Sequence, residues 1–166
     1  GLRVLVTAGA AGIGRAIAQT FVAHGARVHI CDVDRGALDE AKRLLPQVTQ
    51  SVTDVASPEE VDRLFADVKR ELGGLDVLVN NAGIGATVDV VDTSDEQWDR
   101  ILDTNLSGTF RCLRAALPRM QSRRRGSIVN MASIVAWRAE RGQAAYAASK
   151  AGMIGNLTRN CVPRMT

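Results

Sequence analysis

A tyrosine and a lysine stand four residues apart in the segment "AAYAASKAG", and this tyrosine is the only one in the sequence. On a helix, Tyr146 and Lys150 share one face because residues four apart are neighbours. A free phenol has a pKa of about 10, too high for a general base at neutral pH, and a nearby ammonium stabilises the phenolate. The pair therefore predicts acid–base chemistry on a phenol. The alternative is structural: a buried tyrosine beside an exposed lysine.

A glycine-rich stretch, "TAGAAGIG", follows the first apolar run of the chain and precedes a helical pattern. Gly9, Gly12 and Gly14 allow the backbone to turn tightly and to approach a pyrophosphate, which the amides at a helix N-terminus can bind. The same glycines could instead serve close packing between a helix and a sheet. The stretch therefore indicates either a pyrophosphate site or a packing device.

Asp32 ends the second apolar run, 18 residues after Gly14. A carboxylate there can accept hydrogen bonds from both hydroxyls of an adenine ribose and would repel a 2′-phosphate. Ala11 and Val33 provide no cation for such a phosphate, and we expect Arg35 to face solvent from the next helix. The sequence therefore predicts NAD as the cofactor, with NADP less favoured. An aspartate that caps a helix or a turn is the structural alternative.

Small and polar residues also follow the third, fourth and fifth apolar runs. In a parallel sheet, ligands bind beyond the carboxyl ends of the strands. Asp54 and Val55 would suit the edge and the face of an adenine, and the Ala-Gly pair of "NNAG" leaves room for a ligand. The predicted cofactor-binding residues are Gly9, Gly12, Ile13, Gly14, Asp32, Val33, Asp54, Val55, Asn81, Ala82, Gly83, Tyr146 and Lys150.

Apolar runs alternate with helical patterns along the chain. Strands are predicted at residues 2–7, 26–32, 48–52, 75–80 and 126–133, with a helix after each of them. This alternation indicates a doubly wound parallel α/β sheet, the Rossmann fold, with helices on both faces. No linker, repeat or low-complexity stretch divides the chain, so residues 1–166 are predicted to form a single domain for dinucleotide binding and catalysis.

Two helix starts have capping signals. Ser57 suits the N-cap, a proline follows it, and Glu60 is predicted to reach back to Ser57 as the partner in a capping box. Ser94 with Gln97 repeats the box. We expect Ser94 to open one long helix that runs through Leu113.

Composition narrows the class of protein. Of the 166 residues, 46% are hydrophobic and 23% are charged, and no run approaches the roughly 20 apolar residues of a membrane span. Cys31, Cys112 and Cys161 are scattered, which predicts reduced, mostly buried thiols in a cytoplasmic protein without a metal site. The net charge of +3 owes much to the arginine run 123–125, which lacks interleaved aromatics. A solvated helix end is therefore favoured over a nucleic-acid surface.

Five motifs resemble those of the short-chain dehydrogenase/reductase family in order and spacing: "TAGAAGIG", "NNAG", "DTNLSGTF", "IVNMAS" and "YAASK". The resemblance implies that Tyr146 is the catalytic acid/base and that Lys150 stabilises its phenolate while binding the nicotinamide ribose. It also implies that Ser133 holds the substrate oxygen and that Asn105 carries a proton-relay water. These four residues are the predicted catalytic set.

The activity implied by this resemblance is hydride transfer between NAD(H) and a small-molecule secondary alcohol or ketone. One alternative is a 3-oxoacyl reductase that uses NADP(H), because "GQAAYAASKAGMIG" is similar to members with that activity. The other alternative is a nucleotide-binding or dimerisation module without turnover. The resemblance also implies a homodimer or homotetramer, formed through the helix after Ser94 and the helix with Tyr146. Neither a nucleic acid nor a membrane is expected as a partner.

The sequence departs from the family pattern in two places. Ala8 stands where the family usually has the first glycine of the turn, which is tolerable if the φ angle of Ala8 is negative. Family members also continue with another strand, a substrate-covering segment and a final strand. Here the sequence ends soon after Pro163, which we expect to stop the last helix. We therefore expect a truncated chain, or a join between separate segments at Cys161-Val162.

Overall fold

A parallel sheet of five strands forms the centre of the computed structural model, which describes residues 1–157. The strand order is β3-β2-β1-β4-β5, so the chain builds one half of the sheet outward from β1 and then returns to build the other half. The strands are β1 (Arg3–Thr7), β2 (Arg27–Asp32), β3 (Thr49–Val52), β4 (Val77–Asn80) and β5 (Ser127–Asn130). This order confirms the predicted doubly wound α/β sheet.

Helices cover both faces of the sheet. They are α1 (Gly12–Ala23), α2 (Arg35–Leu44), α3 (Pro58–Leu72), α4 (Asp95–Leu102), α5 (Gly108–Ser122) and α6 (Ala144–Gly152). Short 3-10 turns occupy Val90–Asp92 and Ile134–Ala136, and π-helical turns occupy Asp103–Ser107 and Met153–Leu157. One core lies beneath α1 and α2, and a second core lies beneath α3 and α5.

Each central strand contributes side chains to both cores. In β1, Val4 and Val6 pack beneath α1 and α2, whereas Leu5 packs beneath α3 and α5. The alternation follows from strand geometry, because successive side chains point to opposite faces of a sheet. Both faces are covered, so the three residues between Arg3 and Thr7 are all apolar, rather than every second one.

Two of the three cysteines lie in the described part of the chain. Cys31 and Cys112 are buried free thiols in the core beneath α3 and α5, as predicted. Burial raises the pKa of Cys112 to about 12, so this thiol stays protonated at neutral pH. Cys161, the predicted helix stop at Pro163 and the suspected join at Cys161-Val162 lie outside the described residues.

All five strands are shorter than the sequence predicted: β1, β2 and β3 begin one residue later, and β4 and β5 lose more than one residue. β4 begins at Val77 rather than at residue 75, after Asp76, whose carboxylate accepts two hydrogen bonds from the Arg3 guanidinium at 2.7 and 2.8 Å. β5 ends at Asn130 rather than at residue 133. The Ala132 N–H donates to the Asn130 carbonyl at 3.0 Å, so the chain turns away from the sheet at this point.

The capping box predicted at α3 is half correct. The Ser57 hydroxyl accepts a hydrogen bond from the Glu60 N–H at 3.3 Å, as an N-cap should. The Glu60 carboxylate does not return to Ser57 and instead accepts from the Asp54 N–H at 2.7 Å. The reason is that the Ser57 N–H already donates to the Asp54 carbonyl at 3.0 Å.

The long helix predicted after Ser94 is not uniform. Ser94 caps α4, but the π-helical turn Asp103–Ser107 separates α4 from α5. The Thr109 hydroxyl donates to the Asn105 carbonyl at 2.7 Å at this turn. π-helical turns inside helices are frequent at functional sites, and this one contains Asn105.

The arginine run 123–125 is only partly a solvated helix end. Arg123 donates from Nε to the Arg119 carbonyl at 3.2 Å and from Nη1 to the Asp76 carboxylate at 3.3 Å. It also donates from Nη2 to the Leu75 carbonyl. Arg123 therefore anchors the end of α5 to the segment before β4, and only its two arginine neighbours fit the prediction of solvated side chains.

Residues 1–157 contain neither a membrane-spanning helix nor a cluster of metal-binding side chains. No helix in this range has both the length and the apolar character needed to cross a bilayer. Within the same range, histidine, cysteine and carboxylate side chains form no group of three or more that could hold a metal ion.

His29 is a fully buried polar residue in β2. Its Nε2 lies 3.0 Å from the Ser51 hydroxyl oxygen, and its Nδ1 lies 2.7 Å from the Thr49 hydroxyl oxygen. Because Ser51 donates its own hydrogen to Asp67 at 2.7 Å, the ring donates from Nε2 and accepts at Nδ1. Both nitrogens are thus satisfied in the neutral ring, and burial lowers the pKa of His29 to about 4.

We expect the free energy of unfolding to fall as the pH is lowered from 6.5 towards about 4. In this window the unfolded chain binds a proton on His29 and the folded chain does not, so acid favours unfolding by at most about 3 kcal/mol. His29→Gln should remove this part of the pH dependence. Denaturant unfolding at several pH values measures it, with His24→Gln, at an exposed histidine, as the control. Equal pH dependence in wild type and His29→Gln would contradict the prediction.

Candidate active site

β1 ends in a glycine-rich turn that packs closely against its surroundings. A Cβ at Gly9 would lie 2.8 Å from the Ile30 side chain, and a Cβ at Gly14 would lie 2.0 Å from the Ala8 carbonyl oxygen. Close packing therefore excludes a side chain at both positions. Gly12 differs from Gly9 and Gly14, because the space around it is open. Glycine is favoured at this position by the backbone conformation, which has a φ of +51°.

The condition under which alanine is tolerated at position 8, a negative φ, is not met, because Ala8 has a φ of +47°. A left-handed backbone costs a residue with a Cβ about 1–2 kcal/mol. The neighbouring contacts impose this conformation. The Asn81 side-chain amide donates to the carbonyls of both Thr7 and Ala8 at 3.1 Å, and Gly14 packs against the Ala8 carbonyl. The turn thus keeps a geometry suited to glycine, and Ala8 is strained.

Thr7 connects the glycine-rich turn to the segment after β4. Its hydroxyl is buried and accepts hydrogen bonds from the N–H groups of Asn81 at 3.0 Å and Ala82 at 2.9 Å. Sequence reasoning assigned Asn81 and Ala82 to a cofactor and did not single out Thr7. The feature of the sequence that could have identified Thr7 is its hydroxyl, which directly follows a run of apolar residues. Contact of Asn81 and Ala82 with a cofactor stays a prediction.

Asp32 lies at the end of β2, beside the glycine-rich turn. Its carboxylate accepts from the Ala10 N–H at 3.3 Å and from the Asp34 N–H at 3.2 Å. The N-cap of α2 is Asp34, whose side chain accepts from the Ala37 N–H at 3.0 Å, so Asp32 does not cap this helix. Arg35 opens α2 and is exposed, as expected.

The other predicted cofactor residues differ in how far they are exposed. Ile13 and Val33 follow the ends of β1 and β2 and are 66% and 63% exposed, which suits contact with a flat ring. The Asp54 carboxylate accepts from the Ala56 N–H at 2.9 Å, and Val55 is buried against Gly108. Open space at Gly12, two exposed apolar side chains and the Asp32 carboxylate together fit a dinucleotide.

Tyr146 and Lys150 lie on α6, and the structure excludes an exposed lysine. Lys150 is 3% exposed, and its Nζ donates to the Met131 carbonyl at 2.7 Å and lies 5.6 Å from the centre of the Tyr146 ring. Burial lowers the pKa of Lys150. The segment 83–85 lies against both side chains, since a Cβ at Gly83 would be 3.4 Å from Lys150 Nζ, and one at Gly85 would be 3.4 Å from the Tyr146 ring.

Asn105 is fully buried and forms a network that joins this segment to α6. Its Oδ1 accepts from the Ile84 N–H, and its Nδ2 donates to the Ile84 carbonyl, both at 2.8 Å. Nδ2 also donates to the Ser149 hydroxyl at 3.0 Å. The structure therefore brings Asn105, Tyr146 and Lys150 together. Sequence reasoning missed Ser149, whose signal was a polar residue on the buried side of α6.

Ser133 begins the 3-10 turn Ile134–Ala136, which packs against α6. Its backbone is extended, with φ of −150°, and its hydroxyl accepts from the Val135 N–H at 3.4 Å. The hydroxyl hydrogen of Ser133 remains available as a donor towards a substrate oxygen. A half-buried phenol, a buried ammonium and such a hydroxyl can together move a proton and stabilise charge on oxygen.

The chain is similar to known proteins over most of its length. The sequence pattern of the family described as short chain dehydrogenase matches residues 3–162. A "(5R,7aS)-5-hydroxy-7a-methyl-1-oxo-2,3,5,6,7,7a-hexahydro-1H-indene-carboxyl-CoA reductase" of Mycobacterium tuberculosis is 44% identical over 163 residues, which cover 94% of this chain and 62% of the relative. The 3-oxoacyl-(acyl-carrier-protein) reductase FabG of Salmonella typhimurium is 38% identical over 152 residues, which cover 91% of this chain and 62% of the relative.

Solved structures agree with these sequence relatives. A crystal structure of a short chain dehydrogenase from Mycobacterium smegmatis matches with a TM-score of 0.89 at 43% identity, over 93% of this chain and 67% of that one. A putative short-chain alcohol dehydrogenase from Sinorhizobium meliloti matches with a TM-score of 0.91 at 34% identity, over 96% and 65%. The chain spans 62% of the length of each of the two reductases above.

We expect Ala8→Gly to raise the free energy of unfolding by about 1 kcal/mol. Glycine adopts a positive φ without the steric cost of a Cβ, and its greater freedom in the unfolded chain offsets only part of that gain. Denaturant unfolding measures the difference. Ala10→Gly is the matched control, because buried Ala10 lies in the same turn without a positive φ and should lose stability. A loss of stability in Ala8→Gly would show that Ala8 is not strained.

Proposed function

The chain belongs to the short chain dehydrogenase family, and we propose that the protein transfers hydride between NAD(H) and a secondary alcohol or a ketone. The observation behind this proposal is the buried Lys150 ammonium, 5.6 Å from the centre of the Tyr146 ring. Burial of an ammonium is costly. A module that only dimerises gains nothing from it, and a module that only binds a nucleotide has no need of the phenol beside the charge. The pair of side chains therefore favours an enzyme over a module without turnover.

The cofactor site is assigned to the carboxyl edge of the sheet. The backbone amides at the start of α1, next to Gly12, would hold the pyrophosphate, Asp32 the adenine ribose and Lys150 the nicotinamide ribose. When bound, the nicotinamide supplies or accepts the hydride. The open space at Gly12 and the exposure of Ile13 and Val33 support this assignment.

Proton transfer at the substrate oxygen is assigned to Tyr146. Its phenolate accepts the hydroxyl proton during oxidation, and its phenol returns a proton during reduction. The Lys150 ammonium stabilises the phenolate, and the Ser133 hydroxyl stabilises the charge that grows on the substrate oxygen. The Asn105 side chain is bound to Ile84 and Ser149, so its part in a proton relay falls to its backbone carbonyl, which accepts from the Thr109 hydroxyl.

A second candidate substrate class is a 3-oxoacyl group on an acyl carrier, reduced with NADP(H). The names of two relatives favour this substrate class, since one is a carboxyl-CoA reductase and the other is a 3-oxoacyl-(acyl-carrier-protein) reductase. The Asp32 carboxylate beside the turn argues against NADP(H) as the cofactor. Assays with 3-oxoacyl-CoA and with secondary alcohols, each with both cofactors, distinguish the two candidates.

Assembly into a homodimer or homotetramer is part of the same proposal. Trp98 on α4 and Phe110 on α5 are 37% and 48% exposed, and apolar side chains exposed on these helices suit a subunit contact. The buried free thiols of Cys31 and Cys112 are compatible with the proposed cytoplasmic location.

Tyr146→Phe in the full-length protein should abolish turnover and leave the cofactor dissociation constant within a few-fold. Phenylalanine keeps the ring that lies against Gly85 but has no proton to transfer. The measurement is a steady-state assay with several secondary alcohols and ketones, beside a titration with NADH. Turnover at the wild-type rate would remove Tyr146 from the mechanism, whereas loss of cofactor binding would indicate a structural role.

Asp32→Ala should remove most of the preference for NAD over NADP. Two like charges about 4 Å apart repel by about 4 kcal/mol at an effective dielectric of 20, and solvent at this exposed edge reduces the resulting preference to about ten- to a hundredfold. The measurement compares kcat/KM for NAD and NADP with one substrate. Asp34→Ala is the matched control, because it removes the neighbouring carboxylate, which caps α2. A wild-type protein that prefers NADP would show that Arg35 outweighs Asp32.

A further inference from the structure

Ser149 is a fully buried hydroxyl inside α6, between the two residues with proposed chemical roles. Its Oγ donates to the Tyr146 carbonyl oxygen at 2.7 Å. The same oxygen accepts from Asn105 Nδ2 at 3.0 Å. A serine in a helix commonly bonds to a carbonyl of the preceding turn, but here the hydroxyl is also the acceptor for a side chain from another element.

The chain of hydrogen bonds continues beyond Asn105 into the segment that touches the reactive side chains. Asn105 is bound through both of its side-chain atoms to the backbone of Ile84 at 2.8 Å. Ile84 lies between Gly83, which is close to Lys150 Nζ, and Gly85, which lies against the Tyr146 ring. Ser149 therefore links the Tyr146 backbone to the loop that surrounds the phenol and the ammonium.

Resting on the function proposed above, we infer that Ser149 is a positioning residue that sets the distance between the Tyr146 phenol and the Lys150 ammonium. Lys150 has its own anchor, because Nζ donates to the Met131 carbonyl at 2.7 Å. The Tyr146 hydroxyl forms no hydrogen bond among residues 1–157. The position of the phenol therefore depends on the Tyr146 backbone and on the packing of its ring. The bond from Ser149 to the Tyr146 carbonyl fixes that backbone relative to Asn105.

Removal of the Ser149 hydroxyl affects the two anchors differently. Without it, one N–H of the buried Asn105 amide lacks an acceptor, and α6 loses the hydrogen bond that joins it to the Asn105 side chain in the π-helical turn. The Lys150 ammonium stays with Met131, whereas the phenol is free to move away from it. A displacement of about 1 Å at a reacting group can reduce the rate about 100-fold.

The test uses Ser149→Ala in the full-length protein, with Ser122→Ala as the matched control. Ser122 also donates from Oγ to the carbonyl three residues earlier, at 3.1 Å, but lies at the exposed end of α5. We expect kcat of Ser149→Ala to fall about 100-fold while KM for the cofactor changes by no more than a few-fold. Ser122→Ala should match the wild type in both constants.

A second readout does not depend on turnover. Tyr146 is the only tyrosine of the 166 residues, so the difference in near-ultraviolet circular dichroism between each protein and its Tyr146→Phe variant reports the surroundings of this ring alone. Because Ser149→Ala lets the phenol move away from the ammonium, we expect this difference signal to weaken relative to the wild type while the far-ultraviolet signal of the helices stays the same. If Ser149→Ala does not fold, Ser149→Cys, which retains a weak donor and acceptor, is measured in the same way.

The two readouts separate this inference from the proposed function. If the wild type shows no turnover with any substrate, the proposed function fails, and the circular dichroism signal of Tyr146 still decides the role of Ser149. A weakened Tyr146 signal in a folded Ser149 variant supports positioning. An unchanged signal together with kcat close to the wild-type value would overturn it and leave Ser149 as a packing residue.

Discussion

The hydrogen bonds between Thr7 and the backbone of Asn81 and Ala82 join the ends of the two central strands, and the whole site depends on this junction. β1 pairs with β2 on one side and with β4 on the other, so the direction of winding reverses at β1. At such a reversal the following loops diverge and leave a crevice beyond the strand ends. The same junction places the Asn81 amide on the glycine-rich turn and holds Ala8 in a left-handed conformation.

Burial of the Lys150 ammonium is the second constraint. The residues that surround this ammonium come from parts of the chain that are far apart in sequence. The carbonyl that accepts from it belongs to Met131, just beyond β5, and Gly83, just beyond β4, leaves the space beside it. A charge in these surroundings is poorly screened by water, which is what the proposed stabilisation of the Tyr146 phenolate requires. Burial thus costs free energy and at the same time gives the ammonium the environment that its proposed role needs.

Several side chains with proposed chemical roles also hold the site in shape. Asn105 uses its whole side-chain amide on Ile84 and Ser149, and Asn81 uses its own amide on Thr7 and Ala8. Substitution at these residues disturbs geometry and chemistry together. Tyr146 is different, because its ring packs against Gly85 and its hydroxyl forms no hydrogen bond among residues 1–157, which suits its proposed role.

Much of the fold could be predicted from the sequence, because apolar periodicity reports which faces of a segment are covered. The five strands and the helices on both faces of the sheet followed from that pattern, and the buried thiols followed from the scatter of the cysteines. The shared helix face of Tyr146 and Lys150 followed from the geometry of one helical turn. The strand ends were less certain, because hydrogen bonds such as those between Arg3 and Asp76 decide where a ladder begins.

Only the tertiary structure decided which partner each polar group takes. The positive φ of Ala8, the choice of Asp54 rather than Ser57 by Glu60, and the π-helical turn that contains Asn105 all depend on contacts between elements. The bonds that define the site join positions such as Asn81 and Ala8, or Asn105 and Ser149, which lie 73 and 44 residues apart. Local sequence determines which face of a segment is buried. The distance between two segments that are far apart in the sequence is set only when the whole chain has folded.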